Sequence, residues 1–124
     1  MKKIRIVLAD GNNLFVDSLK IILEKESELD ILSGSNSGVE ALRSCIDLQP
    51  DLAIIGEVLH DLTMVEAAKE IKRSVRGIKF LFMIRDGSAD ILSLLSGMDT
   101  VGAVKQSCGI SEFMTALRQV IKGE

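Results

Sequence analysis

The sequence predicts a single α/β domain built on a parallel sheet with helices on both faces. Three observations carry that expectation. Short apolar runs alternate with stretches of helical periodicity from one end of the chain to the other. The runs Ile4–Ala9, Leu52–Ile55 and Lys79–Ile84 are almost continuously apolar, as strands buried on both faces are. Asp10, Gly56, Ile84 and Lys105 fall at the carboxyl ends of the predicted strands, where open parallel sheets place their sites.

Each element has its own local reason. The first strand, Ile4–Ala9, stops at Asp10, and Asn13 to Lys25 then sets Phe15, Leu19, Ile22 and Leu23 on one helical face. Asp30 to Ser35 reads as a weaker second strand. Ser37 opens a second helix with Val39, Leu42 and Ile46 on one stripe, and Pro50 bars its continuation. The third strand is Leu52–Ile55. Thr63 and Glu66 have the spacing of a capping box, and the helix they open turns Met64, Ala67, Ala68 and Ile71 inward. The fourth strand, Lys79–Ile84, precedes a helix around Ala89 to Ser96. A fifth strand, Val101–Val104, leads to a final helix from about Ser111 to Lys122. The strand order expected of such a flavodoxin-like, doubly wound (βα)5 sheet is 2-1-3-4-5.

Bulk properties narrow the class. A chain of 124 residues fits one domain over 1–124, and its 47% hydrophobic content with a single proline supports a packed core. A net charge of −3 offers no concentrated basic footprint for nucleic acid. Cys45 and Cys108 have neither metal-ligand nor redox spacing and suit a reduced, cytoplasmic protein. Met1-Lys2-Lys3 runs directly into a strand, leaving no room for a signal peptide, and no apolar run reaches membrane-spanning length.

The order of strands, with Asp10 after the first, Gly56 after the third, Ile84 at the end of the fourth and Lys105 at the end of the fifth, resembles the receiver domain of two-component response regulators. The branch that precedes LuxR-type DNA-binding domains is the most similar. The resemblance implies that Gly56 stands where the family carries the aspartate that accepts the phosphoryl group. It likewise implies that Asp10-Gly11 stands for an acidic magnesium-binding pair and Ile84 for a hydroxyl residue. The switching aromatic residue falls in Gly102-Ala103, while Lys105 matches the family lysine. Nucleophile, one metal ligand, hydroxyl and aromatic ring are all missing, so no cofactor is expected and magnesium binding should be weak or absent. The vestigial pocket is therefore expected to comprise Asp10, Gly11, Gly56, Glu57, Ile84, Arg85 and Lys105.

Within that pocket, Glu57 is offset by one residue from Gly56 and reads as a solvated loop glutamate. Arg85 is a candidate to fold over the site and pair with Asp10. Asp10 and Lys105 form a second candidate ion pair, structural rather than catalytic. His60, with no second ligand near it, reads as a surface residue, and Cys45 as a small buried hydrophobe. Cys108 lies in a loop without a mark of reactivity. Gly34 to Gly38 could cradle a phosphate but lacks the lysine of a P-loop, so a plain strand-to-helix turn is the reading. Lys69, Lys72, Arg73 and Arg76 complement a helix dipole on a solvated face.

The function implied is a non-enzymatic signalling module that works through protein contacts, as the amino-terminal part of a transcriptional regulator. Two alternatives stay open: a receiver phosphorylated at Asp10, Glu57 or Asp61, and a small-molecule sensor using the vacated pocket. A DNA-binding domain would lie outside this chain, which itself contacts neither nucleic acid nor membrane. The partner surface, for a homodimer or an output domain, is expected on the fourth and fifth predicted helices. There Leu92 and Leu95, and Met114 and Ile121, belong to apolar arcs of about 160°, wider than the stripe a helix buries on a sheet.

Overall fold

The computed structural model describes residues 2–85 and 101–123. Five strands form one sheet: β1 (Ile4–Ala9), β2 (Leu29–Ser35), β3 (Leu52–Gly56), β4 (Lys79–Ile84) and β5 (Val101–Lys105). Four helices are described with them: α1 (Asn13–Glu24), α2 (Gly38–Leu48), α3 (Met64–Ser74) and α4 (Ile110–Lys122). All strand pairs are parallel and the order is β2-β1-β3-β4-β5, as expected. The helix predicted over residues 89–96 lies outside the described residues, and Leu92 and Leu95 with it.

Strand alternation sends successive side chains to opposite faces and so builds two cores. On one face Ile6, Leu8, Ile54, Leu81 and Met83 meet Val16, Leu19 and Leu23 of α1 and Phe113 and Leu117 of α4. On the other, Val7, Ala9, Ala53, Ile55, Phe80 and Phe82 meet Ala41 and Cys45 of α2 and Met64, Ala68 and Ile71 of α3. Phe80 and Phe82 stack with ring centroids 5.2 Å apart.

The helix starts follow the local chemistry. Asn12 and Ser37 cap α1 and α2 by accepting from the amides of Phe15 and Glu40. The capping box of α3 is complete: Thr63 Oγ1 accepts from the Glu66 amide at 3.1 Å, and Glu66 Oε1 accepts from the Thr63 amide at 2.9 Å. Gln49 ends α2 in the left-handed region at φ 49°, and its side-chain amide donates to the carbonyls of Cys45, Ile46 and Ser74. Met64, Ala67, Ala68 and Ile71 all face inward on α3, as the periodicity predicts.

Two helices are rotated from the sequence reading. On α2 the buried positions are Gly38, Ala41 and Cys45, while Val39 and Ile46 are 41% and 48% exposed and Leu42 is half-buried. Gly38 lies so close to Leu62 that a Cβ there would stand 2.9 Å from the leucine Cβ, so the small residues let the helix approach. On α1 the buried set is Val16, Leu19 and Leu23; Ile22 turns outward and Phe15 is half-buried. On α4, Met114 belongs to the core at 9% exposure rather than to an exposed edge, and Ile121 is half-buried. The arc argument fails for Met114 because the α1 side of the sheet and α4 enclose a wider stripe than an isolated helix on a sheet would bury.

Candidate functional site

The carboxyl edge of the sheet gathers the loops after β1 and β3, the end of β4 and the turn after β5. Asp10 stands at its centre, 2% exposed. Its Oδ1 accepts from the Asn12 amide at 2.9 Å and its Oδ2 from the Gln106 side-chain amide at 3.2 Å. Burial raises the pKa of its carboxyl, and the Asn12 amide offsets part of that rise. Among the described residues no cation pairs with Asp10; the ion pairs present are Arg73–Glu70 and Arg118–Glu26. The two pairs expected from the sequence, Asp10 with Lys105 and Asp10 with Arg85, are therefore not formed. Gln106, one residue beyond Lys105, has taken the inward position instead, and its own amide donates to the Ile84 carbonyl at 2.7 Å.

Gly56 ends β3 directly beneath this carboxylate. A Cβ built on Gly56 would overlap Asp10 Oδ2 and stand 2.7 Å from its Cγ, so the aspartate occupies the volume a side chain at 56 would need. Gly11 is closed off in a similar way. Its amide donates to the Val58 carbonyl at 2.7 Å, and a Cβ would meet that same oxygen at 2.6 Å.

The remaining predicted residues disperse. Glu57 is half-buried: its Oε1 accepts from the Arg85 amide at 2.8 Å while its own amide donates to the Met83 carbonyl, tying the β3 loop to the end of β4. Ile84 points into the core on the α2/α3 face. Arg85 is exposed and borders an open depression of about 440 Å3 with Asp10, Gly11, Asn12, Val58 and Gln106. Lys105 is exposed. Asn12, Val58 and Gln106 were missed from sequence; the adjacency of Gln106 to a strand end was the available signal.

A magnesium ion does not fit this donor set. Among the described residues lining the depression Asp10 is the only carboxylate, both its oxygens already accept hydrogen bonds, and Gly11 and Gly56 provide no side-chain ligand. No group of three His, Cys, Asp or Glu able to hold a metal occurs among the described residues.

The loop after β3 contains the best-held carboxylate of the region. Asp61 Oδ1 accepts from the amides of Gly38 at 2.7 Å and Leu62 at 2.8 Å, and its Oδ2 from Ser37 Oγ at 2.6 Å and the Val39 amide at 3.3 Å. The Ser37 hydroxyl, then the amides, hold its pKa down to about 2. The amides that a phosphate cradle at Gly34–Gly38 would have used thus hold an anion of the protein's own. His60 is exposed, and its amide donates to the Asn36 carbonyl at 2.9 Å. Cys45 is fully buried, which pushes its thiol up to about 12. Cys108 is half-buried and also raised, by burial and then by the charge of Glu112, opposite to the shift of a reactive thiol.

Known proteins resemble the chain in sequence and in fold. No family model matches the chain. It is 23% identical over 124 residues to the response regulator protein VraR of Staphylococcus saprophyticus, covering 98% of this chain and 58% of that protein. It is 22% identical over 121 residues to the transcriptional regulatory protein LiaR of Bacillus subtilis, covering 98% and 57%. The signal receiver domain of NarL from Mycobacterium tuberculosis superposes with a TM-score of 0.86 at 18% identity, covering all of both chains. The chain shares the fold of that receiver domain. The chain spans a little over half the length of the curated relatives it matches. No helix among its described residues is long and apolar enough to cross a membrane.

Proposed function

We propose that this receiver transmits its signal through protein contacts without aspartyl phosphorylation, as part of a transcriptional regulator. The observation that carries the reading is the overlap at Gly56. The position that the family resemblance assigns to the acceptor has no side chain, and the neighbouring Asp10 carboxylate fills the space. An in-line phosphoryl transfer needs an exposed nucleophile beside a bound metal ion. Asp10 is buried and doubly hydrogen-bonded, and the oxygens of Asp61 are committed to the start of α2. Glu57 is bonded to the Arg85 amide. The role in transcription rests on the likeness to VraR and LiaR.

Incubation of the purified domain with acetyl phosphate and magnesium tests the reading. Its mass is expected to stay unchanged in intact-protein mass spectrometry. Stable addition of one phosphoryl group, mapped to Asp10, Glu57 or Asp61, overturns it.

A further inference from the structure

A mainly apolar pocket lies away from Asp10. It opens between α1 and the turn from β5 to α4, on the sheet face opposite α2 and α3, with a cavity volume of about 170 Å3. Its floor is Leu19, Met83, Val104 and Phe113, all core residues, and Phe15 and Ile22 form one wall. We propose that this pocket binds a small, uncharged, mainly apolar molecule of aromatic-ring size, and that Gln106 links its occupancy to the Asp10 site. Three observations support the assignment.

The volume is the first. A cavity of about 150 Å3 lined by Leu, Ile and Phe stays dry and accepts benzene, so a pocket of similar size and chemistry takes one ring. The shortage of polar groups is the second. Among the described residues lining the pocket Lys105, which is exposed, is the one charged residue, and the floor and the Phe15–Ile22 wall carry none, so an ionised ligand seated against them would lose its water without a partner there. The third is location. Gln106 borders both this pocket and the depression over Asp10, and its side-chain amide holds the Asp10 carboxylate. A molecule wedged against the β5–α4 turn therefore bears on a side chain that bridges to Asp10. The proposal is independent of whether the receiver can be phosphorylated.

Indole is a suitable probe, followed by NMR of the intact chain. Saturable shifts are expected for Leu19, Val104 and Phe113 and for the Gln106 side-chain amide, with signals of α2 and α3 unmoved. Ser18→Phe, at an exposed residue of the rim, places a ring across the mouth and should weaken binding by about tenfold or more. Ile110→Trp does so from the opposite, exposed side and serves if the first variant misfolds. Absence of saturation in the wild type overturns the proposal, as does equal affinity in a folded rim variant. Binding that leaves the Gln106 amide unmoved overturns the link to Asp10. Leu14, 75% exposed at the start of α1, provides the competing occupant. If the wild type sediments as a dimer, and Leu14→Asp both dissociates it and first admits indole, the pocket belongs to a second copy of the chain and the small-molecule assignment falls.

Discussion

Asp10 follows β1 and Asp61 lies in the loop after β3, and their environments are opposite. Asp10 is sealed from solvent and accepts two hydrogen bonds, from the Asn12 and Gln106 nitrogens. Asp61 is exposed and accepts four, three of them from backbone amides and one from Ser37. Burial raises the first pKa, whereas donors lower the second to about 2. Donor number and desolvation together set the charge a carboxylate can hold, and here they point the same way. The carboxylate at the centre of the site carries its charge at a cost, and the one at its margin is an anchor.

Placing a second carboxylate against Asp10 is the strongest way to probe that difference. Gly56→Asp must displace the Asp10 side chain and set two acids in one buried space, so a loss of about 3 kcal/mol or more is expected from overpacking and like charge. Urea unfolding measures it. Asp10→Ala in the same chain should restore stability well beyond the sum of the single changes, which identifies the overlap as the cause. A Gly56→Asp protein as stable as the wild type would mean that Asp10 swings aside freely, and the contrast between the two acids would collapse.

Asp61→Ala comes next in expected effect, because it leaves the start of α2 without its carboxylate and frees the β3 loop from that helix. A lower Tm at neutral pH is the expected outcome in differential scanning calorimetry. The sign with pH follows from a depressed folded pKa. The contribution is fully present above the ordinary value of 3.8 and is lost as pH falls toward about 2, so the two Tm curves should converge there. Parallel curves would show that Asp61 acts without its charge.

Asp10→Asn should produce the smallest change and the opposite sign. With a folded pKa above the unfolded value of 3.8, the native protein binds more protons across that interval, and stability falls as pH rises through it. Removing the charge while keeping Oδ1 for the Asn12 amide should leave Tm at pH 7 equal to or above the wild type. The gain should vanish toward the ordinary aspartate range. A clear drop in Tm at pH 7 would mean that the ionised form is favoured by something other than its two visible donors.

The sheet was legible because parallel strands buried on both faces leave little ambiguity, and Ile4–Ala9 and Lys79–Ile84 start and end as read. Thr63 and Glu66 likewise announced α3. The rotation of α2 was not legible, since hydrophobicity pointed to Val39 and Ile46 while close packing selected Gly38 and Ala41. Proximity decided that helix, and a sequence displays side-chain size without displaying distance. The same limit applies at the site. Asp10 and Gly56 could be placed at strand ends, but the collapse of one into the space of the other is a matter of side-chain direction. Lys105 drew attention by its charge, although Gln106 makes the contact. Asp61 was considered as a reactive group, and its partners across the β2–α2 turn became visible only in three dimensions.

The closure of Gly11 against the Val58 carbonyl and of Gly56 against Asp10 also fixes an order of events for any sequence change at this edge. A side chain at 56 alone meets a carboxylate, and a side chain at 11 alone meets a main-chain oxygen that no substitution at 58 can remove. A sequence that began to build an acidic cluster here would first have to shift the loop after β3 and redirect Asp10. Adding a side chain at either position is thus obstructed, while a glycine there is not. The packing acts as a ratchet, and the two glycines are its teeth.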